Sequence, residues 1–143
     1  MPQKKTKARA KRKLRRGNAP SIAAGELVRE EIEHVREGKH GVRSTKQAIA
    51  IGLSKARRAG VPLEPPAPGT APTSTRKRAR RDREIGEGMR TPRRSPKRRA
   101  ATTAALKREP RKGASRAALS RHAKQTAKRP RKTGRRSRSR ARR

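Results

Sequence analysis

Bulky apolar residues are concentrated between about residues 21 and 60, where they recur at the spacing of a helix face. Leu27, Val28, Ile32 and Val35 form a first stripe, with Glu26, Glu30, Glu33 and Glu37 falling mostly off it. Ser21 is placed to cap this helix, and Gly38 to stop it. The connection from Gly38 to Arg43 is short and glycine-bearing, which suits an antiparallel or angled helix pair. The second helix has the clearest ends. Ser44 and Gln47 form a capping-box pattern, Gly60 supplies a left-handed stop and Pro62 blocks continuation. Between them Ile49, Leu53 and Ala56 line one face, widened by Ala48, Ile51 and Gly52, while Lys46, Lys55, Arg57 and Arg58 are expected outside. The pattern predicts a small all-α helical hairpin over about 21–60.

Outside that module the apolar signal thins out. Residues 1–20 read as a basic disordered arm, 21–61 as the two-helix module and 62–75 as an extended linker through Pro62, Pro65, Pro66, Pro68 and Pro72. Residues 76–143 read as a basic, mostly disordered tail. Two weak helical stripes lie in the tail, at Ala100 to Arg108 and at about 115–129, the second carrying Ala118, Leu119, His122, Ala123 and Ala127. They are mostly alanine, so coil is expected in free solution, with helix induced once phosphates screen like charges. Composition extends this expectation. With 27% hydrophobic and 39% charged residues, the chain is expected to be mostly disordered apart from the hairpin. The hairpin is itself small, and self-association through Ile51 and the Ile49/Leu53 stripe would complete its core.

Charge points to the partner. The net charge is +36, from 46 Lys and Arg against ten Asp and Glu. The chain's own acids cannot neutralise this surplus, so a polyanion is expected as partner. The absence of Phe, Tyr and Trp excludes the aromatic stacking platforms of RRM, cold-shock and single-strand-binding OB domains, which leaves backbone-dominated binding of duplex or structured nucleic acid. The candidate contacts are the cations of four basic runs and the outer face of the second helix. The N-terminal arm contributes Lys4, Lys5, Lys11, Arg12, Lys13, Arg15 and Arg16, and the helix Lys46, Lys55, Arg57 and Arg58. Early in the tail stand Arg76, Lys77, Arg78, Arg80 and Arg81, followed by Arg93, Arg94, Lys97, Arg98 and Arg99. The last run holds Arg135, Arg136, Arg138, Arg140, Arg142 and Arg143. Guanidinium chelates phosphate and enters narrow minor grooves, so the arginine-rich tail favours structural binding.

Two tandem tetrads, Thr91-Pro92-Arg93-Arg94 and Ser95-Pro96-Lys97-Arg98, have the Ser/Thr-Pro-basic-basic form of linker-histone tails. Each can make a compact turn that presents two cations to an A·T-rich minor groove, although such sequences also arise readily in this composition. His34, His40 and His122 lack the pairing or carboxylate spacing of a metal or catalytic set and read as surface residues. With no Cys, no phosphate-binding glycine loop and a module too small to enclose a pocket, no enzyme, cofactor or small-molecule substrate is expected. The longest apolar run, Ala48 to Leu53, is too short to span a bilayer, and no secretory signal precedes it, so no membrane partner is expected.

From Lys46 to Gly60 the sequence resembles a small basic bacterial or phage domain family of unknown function, marked by K-Q-A-I-A-I-x-L-S-x-A-R-x-A-G. The resemblance implies a cytoplasmic setting and carries no activity or binding residues to transfer. The tail also resembles histone-like and linker-histone tails in composition. Together these readings point to a non-sequence-specific, histone-like, nucleoid-associated protein that neutralises and bridges duplex DNA. One alternative is an RNA- or ribosome-associated protein. Another is an adaptor whose acidic first helix recruits a protein partner.

Overall fold

A computed structural model describes residues 2–93 and 95–129. Among them the chain forms six α-helices, one 3₁₀ turn and no strand: α1 Lys4–Arg15, α2 Pro20–Arg36, α3 Thr45–Arg58, α4 Thr73–Gly86, α5 Pro96–Arg108, the turn Lys112–Ala114 and α6 Arg116–Lys128. The hairpin is present as α2 and α3. The expectation of a mostly disordered chain is overturned, because the arm, the early tail and both weak stripes are helical as well.

Local sequence explains most of the helix ends. Ser44 Oγ accepts the Gln47 N–H at 3.2 Å, while the Gln47 side chain accepts from Arg43 N, one residue before the cap. Gly38 and Gly60 close their helices at φ +79° and +90°. The first of the pair begins differently from the sequence reading: Pro20 opens α2 and Ala19 is its N-cap, which leaves Ser21 inside the helix. A proline suits the first helical position because its fixed φ is already helical and its missing N–H has no partner there to lose. Ser95 and Ser115 cap α5 and α6 by accepting from Arg98 N and Ala118 N.

The unforeseen helices form because small residues let them pack closely. Thr6, Ala10 and Leu14 recur every four residues along α1, and Thr6 and Ala10 are buried against α2. One apolar cluster joins Ala10 to Ala23, Ala24, Leu27, Ala56 and Val61, with Leu14, Leu53 and Leu63 packed around it. The start of the proline-rich stretch is therefore part of the core. A second cluster joins Val35, Val42, Ala48 and Ala114, flanked by Ile32 and Ile51. Fully buried Leu27 and Val35 contribute about 1.5–3 kcal/mol each. The hairpin thus recruits its missing surface from α1, the segment after α3 and the 3₁₀ turn.

The helices are layered in order. α1 packs on α2, α2 on α3 and α3 on α4, while the 3₁₀ turn touches α2, α3 and α6. Ala114 O accepts from Arg36 Nε at 2.9 Å, and Gly113 O accepts from the buried Thr45 hydroxyl at 2.7 Å. α5 packs on none of the described helices. Its C-terminal end is held at the α2–α3 connection, where Gly41 N donates to Leu106 O and Val42 N to Pro110 O, both at 2.8 Å.

Candidate nucleic-acid interface

Acidic side chains decide which cations are free. Glu26, on α2, receives Arg9 at 3.3 Å and Lys13 at 2.5 Å from α1. The Lys13 ammonium holds the Glu26 carboxyl below its ordinary value, against a smaller opposing effect of burial. Glu30 is 4% exposed and accepts the Gln3 backbone N–H at 2.9 Å, which fixes the start of α1. Glu31 is 1% exposed and meets Lys55 of α3 on one oxygen, with His40 Nε2 2.8 Å from the other. Asp82 of α4 is gripped from α3 at both oxygens, by Arg58 Nε and Ser54 Oγ at 2.6 Å each.

These contacts correct two expectations. Glu30 does not lie off the packed face, and His34 and His40 are not surface residues. Their side chains are only 13% and 15% exposed, with His34 Nε2 3.5 Å from Glu30. Burial, aided by Lys39 and Lys55, holds His34 below its ordinary 6.5, outweighing the opposing pull of Glu30 and Glu31. A histidine with a depressed folded pKa makes its full contribution to stability above the unfolded value, and that contribution is lost as pH falls below it. Thermal midpoints should therefore drop as pH falls below the ordinary histidine value of 6.5, and His34→Gln should flatten that stretch of the curve. Equal pH dependence in the variant would show that another group carries the effect.

All but one of the remaining acids are also engaged. Glu33 pairs with Arg29, Glu37 with Lys39, Glu64 and Glu87 with Arg83, and Glu84 with Arg80 and Arg90. Nine of the ten acidic side chains therefore lie within ion-pair distance of a base of this chain.

The candidate cations sort accordingly. Lys4, Lys5, Lys11, Arg12 and Arg15 are exposed on α1 and Arg16 at its C-cap, while Lys13 is turned to Glu26. Lys46 is exposed near the start of α3. Lys55 is committed to Glu31, and Arg58 is paired with Asp82 but half exposed. Arg57 is 8% exposed and donates to Leu63 O and Glu64 O, so it anchors the chain after α3. On α4, Lys77, Arg78 and Arg81 are exposed, Arg80 is exposed beside Glu84, and Arg76 is half-buried. Arg93, Lys97, Arg98 and Arg99 are exposed in and before α5. Arg94, Arg135, Arg136, Arg138, Arg140, Arg142 and Arg143 lie outside the described residues, as do the end of the first tetrad and the last basic run.

The basic-run reading omitted several exposed cations that stand singly or in pairs: Arg43, Arg90, Lys107, Arg108, Arg111 and Lys112, together with Arg116, Arg121, Lys124 and Lys128 of α6. Run length is a poor guide to them, because a helix gathers charges that the sequence keeps three or four apart. Among the described residues no group of three or more His, Asp or Glu is placed to hold a metal. No helix among them is long and apolar enough to cross a membrane. A shallow apolar groove of about 450 Å³ runs between α2 and α3, with Val28, Ile32, Ile49 and Leu53 in its walls and Leu119 of α6 at its edge.

Among the described residues, fold and charge together define a helical protein whose buried acids, Glu30, Glu31 and Asp82, serve its own packing and whose outer helix faces carry many exposed cations. Residues 19–65 match the sequence pattern of a family of unknown function (DUF6496), about a third of the chain, taking in α2, α3 and the first part of the proline-rich stretch. The match agrees with the resemblance to a domain of unknown function seen at Lys46 to Gly60. No curated protein and no solved structure matches the chain.

Proposed function

We propose that this protein is a non-sequence-specific, histone-like DNA-binding protein of the bacterial cytoplasm, associated with the nucleoid, which neutralises and bridges duplex DNA. The observation that supports this reading is that nine of the ten acids lie within ion-pair distance of a base of this chain, while among the described residues many cations stay exposed on the outer faces of α1, α4, α5 and α6. Phosphate is the counter-charge that such a surface fits, and binding releases the counterions condensed on the duplex. Bridging is within reach of one copy. α1 packs on α2 and α4 on α3, with no packing between α1 and α4, so two cationic helices flank the hairpin. Pairing of two copies would double these cationic helices. The adaptor alternative loses support, since Glu26, Glu30 and Glu31 face other parts of this chain.

The test uses α1, where Lys4, Lys11 and Arg15 follow one exposed line at i, i+7 and i+11. Replacing the three with Gln should weaken duplex binding about tenfold at low salt and make the log–log salt slope shallower by about 2 to 3. Anisotropy titrations of a labelled duplex at several salt concentrations would measure both. An unchanged slope would take α1 out of the interface. Tighter binding of ribosomal RNA than of duplex DNA at matched salt would transfer the partner to RNA.

A further inference from the structure

Among the described residues, α5 is tied to the rest of the molecule only at its C-terminal end. No residue in it is buried, and it packs on no other described helix. Its helical form comes from local chemistry: the Ser95 cap, Pro96 at the first position, and residues of high helix propensity after them. The centre of α5, from Ala100 to Ala105, is an uncharged run of alanine and threonine in a chain that is 39% charged. Cations flank it at both ends, Lys97, Arg98 and Arg99 before it and Lys107 and Arg108 after it, all exposed.

We propose that α5 is a duplex-binding element that lies in the DNA major groove, its alanine and threonine centre against the base edges and its two cationic ends on the flanking phosphates. This rests on the DNA-binding reading above and adds the groove and the helix. Dimensions favour it. The major groove is about 12 Å wide, as wide as an ordinary helix with its side chains, and a helix centred on Ala and Thr enters with room to spare. The two cation groups are about ten residues apart, or about 15 Å along the axis, so both ends meet backbone where a straight helix leaves a curved groove. Methyl groups of Ala and Thr contact thymine methyls without demanding a particular sequence, in keeping with non-specific binding. Attachment of Leu106 O and Pro110 O to the α2–α3 connection sets the helix at a fixed place on the molecule while leaving its length free.

Dimethyl sulfate footprinting of the full chain on duplex DNA tests this directly, because the reagent reports guanine N7 in the major groove and adenine N3 in the minor groove at once. The wild-type protein should protect guanine N7. Ala101→Glu with Ala104→Glu should abolish that protection and weaken binding about tenfold or more. Ala101→Gln with Ala104→Gln, which adds bulk without charge, should weaken the protection while circular dichroism shows the helix content retained. Lys11→Gln with Arg12→Gln on α1 should lower affinity yet leave the N7 pattern of the bound complex unchanged. Binding with no N7 protection, or with adenine N3 protected alone, overturns the placement of α5 and leaves the DNA-binding reading standing. Failure of the wild-type chain to bind duplex even at low salt overturns both.

Discussion

Raising salt from about 50 to 200 mM should cost the full chain about four orders of magnitude in affinity for a duplex, if on the order of eight phosphates are contacted. The log–log slope should then lie near −7, as each phosphate neutralised by Lys or Arg returns close to one condensed counterion to solution. Eight is a modest demand, since α1 alone exposes five cations, its C-cap Arg16 a sixth, and α4 and the start of α5 several more. The fold itself should tolerate the same change. The carboxylates of its cross-helix pairs, Glu31 and Asp82, are largely withdrawn from solvent, and pairs with a buried member are screened less than fully exposed ones. Circular dichroism across the salt series would separate lost binding from lost structure. A slope shallower than about −2 with the helices intact would remove charge neutralisation as the mechanism, as would a strong preference for one duplex sequence at matched salt.

What the sequence made legible was the hairpin, because α2 and α3 carry its branched and bulky apolar residues and α3 has a serine cap and a glycine stop. α1 and α4 escaped because their buried faces are not hydrophobic in the ordinary sense. Thr6, Ala10 and Leu14 make a thin stripe among nine basic residues, and α4 buries only Ala79 and Asp82. Dense like charge reads as a solvated coil when each charge is weighed alone. The information lay instead in pairs far apart in sequence. Glu26 gathers Arg9 and Lys13, and Ser54 and Arg58, one helical turn apart, converge on Asp82. Four acids placed at helix contacts, Glu26, Glu30, Glu31 and Asp82, thus help organise a chain whose composition argues for disorder. The same pairing reshaped the candidate interface by withdrawing Lys13 and Lys55, and the carbonyls of Leu63 and Glu64 withdrew Arg57, while the outer line of α1 stayed in place.

Two glycine-to-alanine substitutions on facing helices should move stability in opposite directions. Gly52 of α3 sits where the hairpin helices cross: a Cβ there would stand 2.6 Å from Val28 Cα and 2.9 Å from a Val28 methyl. The nearer obstacle is backbone and cannot turn aside, so α2 and α3 must separate. Separation loosens both apolar clusters, because Leu27 and Ala56 in one, and Val35 and Ala48 in the other, meet across the same pair of helices. Overpacking of this kind costs about 1–3 kcal/mol and occasionally more, which exceeds the roughly 1 kcal/mol that alanine gains over glycine in helix propensity. Gly52→Ala should therefore lower the thermal midpoint by several degrees, and Gly52→Val, larger and β-branched, should unfold the hairpin at ambient temperature. Gly25 of α2 is exposed, and a Cβ there meets nothing within 4 Å. With no clash to oppose it, the propensity gain stands alone, and Gly25→Ala should stabilise by up to about 1 kcal/mol. Melting curves followed at the helical circular dichroism band would compare the three variants with the parent. A Gly52→Ala protein as stable as Gly25→Ala would mean that the two helices do not cross at Gly52.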